Sequence, residues 1–373
     1  MTTETTSVTT ALQSLLRKAI DRGGGWIPFD RFMALSLYAP GLGYYANEAR
    51  KFGAMPDSGS DFVTAPEMTP LFGQALATAV GDALQAAGCD EIWEFGAGSG
   101  ALAHQLLQAL PERVTRYTIV ELSASLRQRQ QAALADWGDR VRWVDQLPER
   151  LAAVVVGNEV LDAMPVKLLV RRAGIWHERG VQWQAAAAAA TANGGALAWA
   201  DRPTDLRPPV DIEGDHDYLT EIHPQAEAFI RTLADRLERG AAFFVDYGFP
   251  ETEYFHPQRH MGTLMCHRGH QADPDPLSDP GLKDITAHVN FTGVALAGQA
   301  AGLTVLGYTS QARFLVNCGL GDSMAAASMP DVVAAQRLLA EHEMGELFKV
   351  IGFSAGDFWD AIGFRAGDRT SSL

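Results

Sequence analysis

Cysteine is scarce in this chain. Only Cys89, Cys266 and Cys318 occur, odd in number and far apart, and no two form a CxxC pair. That argues against a disulfide framework and a thiolate zinc site, and fits a reducing compartment. Positive charge is also short: 30 Lys and Arg stand against 45 Asp and Glu, a net charge of -15. A nucleic-acid binder carries a basic face, so DNA and RNA are not expected as partners, whereas a cationic acceptor suits the excess of acid. No apolar run reaches the roughly 20 residues of a membrane span. The N-terminal stretch is Thr-rich and polar, without the apolar core of a signal peptide, so the expected location is cytoplasmic. No internal repeat is present. The apolar share of 47% is spread along all 373 residues, which predicts a packed globular protein, one core with or without a smaller lobe. The oligomeric state is left open.

Local pattern gives the order of elements. From Ser7 to Asp21 the spacing of Leu12, Leu15, Leu16 and Ile20 predicts an amphipathic helix, ended by Gly23–Gly25. A short helix is expected over Phe29–Tyr38, and irregular loop from Pro40 to Pro66. A long helix follows, capped by Thr69 and stopped by Gly88. From Glu91 the texture becomes strand, Gly-rich turn, helix, strand: EIWEF, GAGSG, ALAHQLLQAL, RYTIVEL, then a helix and VRWVD. That alternation predicts a parallel, doubly wound α/β sheet. A fourth strand ends near Val156. A detour of hairpin strands turning at Ala173 and Gly174 follows, then the Ala185–Ala190 run and a Pro-rich tract to Pro209, both read as surface loop. A helix over about Pro224–Glu238 leads to a fifth strand, AAFFVDYG. The segment Phe249 to about Asn290 is too long for a bare connector, which points to a functional insertion. A helix, a strand, a helix and the last strand, LFKVIGFSA, complete the chain.

Four motifs stand out, of which the first two sit at positions where α/β sheets bind ligands. The first is Glu94-Phe-Gly96-Ala-Gly98-Ser-Gly100. Glycines let the backbone turn tightly and approach a ligand closely, and a carboxylate before the turn suits an ammonium or ribose hydroxyls. The GxGxG spacing differs from the GxGxxG that cradles a pyrophosphate. It suits S-adenosylmethionine (SAM), which has no phosphate. Glu121, ending the next strand, is placed to bond both ribose hydroxyls, and Asp145, ending the third, lies where the adenine edge would be. The second motif, Gly157-Asn158-Glu159-Val160-Leu161-Asp162-Ala163-Met164-Pro165, follows strand four at the sheet's carboxyl edge. The third is Asp61-Phe-Val-Thr64-Ala-Pro66-Glu67, and the fourth is PGLKDITAHVNF from Pro280 to Phe291. His256, His260, His267 and His270 cluster near Cys266, but without the paired short spacings of a zinc site, so no metal is expected.

With these motifs in this order, the chain resembles the MidA-like family of SAM-dependent methyltransferases. That family includes a mitochondrial complex I assembly factor that methylates an arginine. The matching elements are Tyr44-Tyr45, Phe52-Gly53, DFVTAPE, EFGAGSG, GNEVLDAMPV, VDYG, GTLMCH and PGLKDITAHVNF. The resemblance implies a Rossmann-like seven-stranded sheet with its last strand antiparallel. It also implies an N-terminal helical lobe, residues 1–88, and a methyltransferase domain, 89–373, with insertions at about 166–215 and 249–290. The implied cofactor is SAM. Glu94, Gly96, Gly98, Gly100, Glu121 and Asn158 match the cofactor motifs, and Thr64, Pro66 and Glu67 match a segment expected beside the cofactor's amino-acid end. Asn290 stands where the family usually carries Asp. The implied partner is a protein acceptor such as a respiratory complex I subunit.

An arginine acceptor sets a specific demand. Its guanidinium stays protonated, with a pKa above about 12, so carboxylates must hold the fork by paired hydrogen bonds. Glu159 and Asp162 are the leading candidates, with Asp246 at the end of strand five as the third. The Phe249–Asn290 insertion is the expected acceptor lobe. Alternative readings are a small-molecule methyltransferase and a non-catalytic SAM-binding assembly factor. A dinucleotide oxidoreductase is disfavoured by the glycine spacing.

Overall fold

The structure, a computed structural model, describes residues 3–47, 63–185, 195–269 and 271–373, with residues 3–8 as backbone only. Phe52, Asp61, His270 and residues 186–190 of the alanine run lie outside them. Two compact units emerge. One comprises Met1–Lys51, Ala163–Ala226 and Glu251–His288; the other comprises Phe52–Asp162, Glu227–Pro250 and Val289–Leu373. The division therefore differs from the expected boundary at residue 88. Helix α1, Pro70–Ala87, belongs to the second unit, because Phe72, Leu76, Val80 and Leu84 are buried in the same core as the sheet strands. Its ends are as the sequence predicts. The Thr69 hydroxyl accepts from the Leu71 N–H, and Gly88 closes the helix in the left-handed region at φ 60°.

The second unit is built on strands β1 Glu91–Phe95, β2 Arg116–Val120, β3 Val141–Val144, β4 Leu151–Asn158, β5 Leu237–Phe249, β6 Thr304–Ser310 and β7 Phe348–Ala355. Their order is β6-β7-β5-β4-β1-β2-β3. β3, β2, β1, β4 and β5 run parallel, and β7 is antiparallel to both β5 and β6. This is the expected topology. The two-residue strand Val289–Asn290 pairs with the end of β5 and makes the sheet eight-stranded rather than seven. Helix α2, Ala101–Ala109, follows β1, and helix α3, Ala124–Ala133, follows β2. A parallel sheet covered on both faces needs strands that are apolar throughout. β4 meets that need with Ala153, Val154, Val155 and Val156, all at most 1% exposed. Each of the three valines contributes about 1.5–3 kcal/mol by burial. The sheet's strand order reverses between β1 and β4, and open α/β sheets bind ligands at that switch point, outside the carboxyl ends of the strands.

The first unit is antiparallel. Trp26–Pro28, Ile175–Ala185, Lys167–Arg172 and Tyr218–Ile222 pair in that order, and Gly195–Pro203 adds to Ile175–Ala185. The tract expected as loop before Pro209 is thus partly a strand. An alternation too weak to read in sequence is fixed by pairing partners, including Arg179 on Asp201. The insertion after β5 forms a short helix, Glu251–Tyr254, and a three-stranded sheet of Gln271–Asp273, Met265–Arg268 and Asp284–Thr286. Glu221, fully buried, accepts from the N–H groups of Thr263 and Leu264 and from the Tyr254 hydroxyl. The GTLMCH motif is therefore bonded to the strand Tyr218–Ile222 by one carboxylate. PGLKDIT is likewise structural, since Tyr45 donates to Asp284 Oδ2 (2.8 Å) and buried Lys283 pairs with Asp273. Among the described histidines, His256 and His260 bond to the Gln258 backbone. No described helix is long and apolar enough to cross a membrane.

Candidate functional site

The Gly-rich turn leaves β1 at the switch point. Gly96, Gly98 and Gly100 have φ of 65°, 52° and 87°, the left-handed region that costs an L side chain roughly 1–2 kcal/mol. Position 96 is also closed by packing, since a Cβ there would lie 2.8 Å from Val160 Cγ2. That contact sets the turn after β1 directly against the loop after β4. The glycine pattern thus serves both backbone conformation and close approach.

Around the turn stand the expected cofactor residues. Glu121, 8% exposed, accepts from the Ser123 N–H (2.7 Å) and from Gln130 Nε2 (3.0 Å). Burial pushes its carboxyl above the ordinary value, against the pull of those donors and of Arg127. Asp145 is exposed at the end of β3, where it lines a surface depression with Trp93, Arg127, Trp143 and Leu147. Thr64 caps the short helix Ala65–Met68, and Glu67 accepts from the Thr64 N–H in return (3.4 Å). Gln105, on α2, donates to the Pro66 carbonyl (2.7 Å) and accepts from the Gly73 N–H (3.1 Å). The TAPE turn is thus tied to the helix that the glycine turn begins.

Glu94 sits otherwise than a counter-charge would. It is 2% exposed and accepts from the Tyr117 hydroxyl (2.7 Å) inside the sheet. Burial pushes it up to about 8, against the lowering effect of that bond. A neutral acid within β1 supports the base of the turn. The native state then holds a proton that the unfolded state releases above its ordinary pKa of 4.5, so stability falls as pH rises from about 4.5 to about 8. Glu94→Gln keeps the acceptor oxygen without the charge. It should raise the thermal midpoint at pH 8 by about 4 °C or more and change it little at pH 5. Equal destabilisation at both pH values in calorimetric melts would refute this placement.

The acids after β4 form a second cluster. Asp246, 1% exposed at the end of β5, accepts from the backbone N–H groups of Val160 (3.0 Å), Leu161 (2.8 Å) and Asp162 (3.3 Å) on Oδ2, and from that of Tyr247 (2.9 Å) on Oδ1. Burial and the neighbouring Asp162 and Glu159 push its carboxyl well up. Expected as a third acceptor acid, Asp246 is instead the anchor of the loop, because backbone donors engage both its oxygens. The anchored loop presents Glu159 and Asp162. Glu159 is held at φ 54°, a strained setting for a non-glycine residue, with Asn158 Nδ2 donating to its Oε1 (3.0 Å). Asp162 Oδ2 accepts from the Tyr247 hydroxyl (2.5 Å). Asn158 Oδ1 is buried with no hydrogen-bond partner among the described residues. Such an oxygen fits a ligand that brings N–H donors, as the ammonium of SAM does. The open glycine backbone and the Glu121 carboxylate fit the rest of that cofactor.

Sequence reasoning missed Gln105, Gln130 and Tyr247 as members of the site. The two glutamines carry no pattern of their own; only Tyr247, next to Asp246 at a strand end, had a signal.

Several known proteins are similar to this chain. A family model described as S-adenosyl-L-methionine-dependent methyltransferase matches residues 75–309. A crystal structure of a protein from Burkholderia thailandensis, bound to S-adenosyl-homocysteine, is 48% identical, with a TM-score of 0.93, over 100% of this chain and 99% of that one. Protein arginine methyltransferase NDUFAF7, mitochondrial, of Danio rerio is 27% identical over 91% of this chain and 85% of its own length. The Caenorhabditis elegans homolog is 26% identical over 80% of this chain and 74% of its own.

Proposed function

Because the chain belongs to the family of S-adenosyl-L-methionine-dependent methyltransferases, we propose that it transfers the methyl group to an arginine side chain of a protein. One observation carries the reading: two acids, Glu159 and Asp162, stand on a loop that Asp246 anchors and Val160 packs against the glycine turn. SAM supplies a methyl group already activated on a sulfonium, which leaves by in-line displacement. The protein's task is then to position the acceptor and exclude water. A guanidinium between Glu159 and Asp162 would donate to both carboxylates, which fixes its plane and directs the attacking nitrogen. Tyr247 and Asn158 hold those carboxylates in place. The names of the animal relatives support arginine as the acceptor, and a respiratory complex I subunit is the protein partner we propose.

We also assign acceptor recognition to the Phe249–Asn290 insertion, which begins at the last residue of β5, three residues beyond Asp246. The test uses isotopically labelled SAM, the purified chain and an extract from cells deleted for it. Mass spectrometry should find the label on a protein arginine, and cross-linking of that protein should map to residues 251–288. Label on a free metabolite, or on another side chain, would replace the reading.

A further inference from the structure

We infer that Gln130 is the positioning residue that sets the spacing between the glycine turn and the Glu121 carboxylate. Helix α3 is polar, and only Leu126 and Gln130 are buried on it. A glutamine that is 0% exposed there is costly unless its amide is fully paired. It is paired. Nε2 donates to the Gly98 carbonyl (3.0 Å) and to Glu121 Oε2 (3.0 Å), and Oε1 accepts from Trp143 Nε1 (3.0 Å). An indole nitrogen can only donate, so Trp143 fixes which end of the amide faces the turn. The two donors are thereby committed to the turn after β1 and to the acid after β2.

No other side chain of this length offers two donors and one acceptor on one planar group. Glutamate lacks the donors, lysine lacks the acceptor, and leucine or methionine lacks both. The consequence for the cofactor is one of counting. A carboxylate offers about four acceptor sites. Gln130 and the Ser123 N–H each engage one oxygen of Glu121, and the Leu122 backbone adds to them, which leaves acceptor capacity for a ribose hydroxyl. The same amide holds Gly98, whose φ of 52° shapes the turn. Gln130 thus acts on the cofactor through its neighbours, and this role is independent of which acceptor receives the methyl group.

The test compares S-adenosylhomocysteine affinity by titration calorimetry for the wild-type chain, Gln130→Met and Gln130→Glu, from about pH 6 to about pH 9. Gln130→Met should weaken binding about tenfold or more, with kcat at saturating SAM nearly unchanged, so that the loss appears in KM. In Gln130→Glu two carboxyls face each other and share one proton at low pH. Its affinity should therefore fall steeply as pH rises while the wild type stays flat, a readout that mere filling of the core would not produce. Wild-type affinity in both variants, or a loss in Gln130→Glu that does not vary with pH, overturns the assignment. Should Gln130→Met not fold, the pH profile of Gln130→Glu decides alone.

Discussion

Gly98→Val should weaken cofactor binding by about a hundredfold or more while the sheet stays folded. Gly98 has φ 52°, and a β-branched residue there meets a conformation that costs roughly 1–2 kcal/mol. That is small beside the 5–15 kcal/mol that holds a typical domain together, so the fold should survive. The turn itself should not keep its shape. Its carbonyl is fixed to Gln130, its neighbours Gly96 and Gly100 are also left-handed, and position 96 is closed by Val160. The valine must therefore either distort the turn or project from it into the face that approaches the ligand. Calorimetry with S-adenosylhomocysteine should show affinity reduced by about a hundredfold or more, about 2.7 kcal/mol, with an unchanged circular dichroism spectrum. Normal affinity in a folded Gly98→Val protein would remove the glycine turn from the cofactor site.

Glu159→Gln should cut turnover by about a hundredfold or more while leaving SAM affinity nearly intact. The substitution keeps the shape of a residue held by Asn158 and removes only its charge. A cationic acceptor would lose its counter-charge in the transition state, whereas the groups proposed to hold the cofactor, the glycine turn, Glu121 and Asn158, would be unchanged. Glu159→Gly separates function from strain. Glycine accepts φ 54° at no steric cost, so this variant should be more stable than the wild type by about 1 kcal/mol and equally inactive. Thermal melts and single-turnover rates read the two effects apart. Unchanged turnover in Glu159→Gln, or a loss confined to SAM binding, would show that this acid does not meet the acceptor.

Much of the site was legible because its chemistry is carried by local signals. Three glycines at GxGxG spacing specify a turn with positive φ, and all three adopt it. Glu121 at a strand end, and the Asn158–Asp162 segment after the fourth strand, are placed by the alternation of strands and helices alone. The three acids Glu159, Asp162 and Asp246 were equally visible, yet sequence could not assign their duties. Asp246 and Asp162 differ in what surrounds them: backbone donors engage both oxygens of the first, whereas the second takes the Tyr247 hydroxyl. Glu94 shows the same limit, since nothing in Glu-Phe-Gly announces that the carboxyl turns inward to Tyr117.

By itself the sequence determined the order of the seven main sheet strands, the parallel sheet, the glycine turn and the family resemblance, because each is carried by short local patterns. The tertiary structure decided what long-range pairing alone can decide. It assigned helix Pro70–Ala87 to the sheet unit and joined the N-terminal helices with both insertions in the other. It made Asp246 an anchor, and it brought Gln130 to Gly98, Glu121 and Trp143. The physical reason is that a side-chain amide or carboxyl is neutral to local pattern. Its role is fixed by the donors and acceptors that the folded chain places around it, and those come from strands and helices far apart in the sequence.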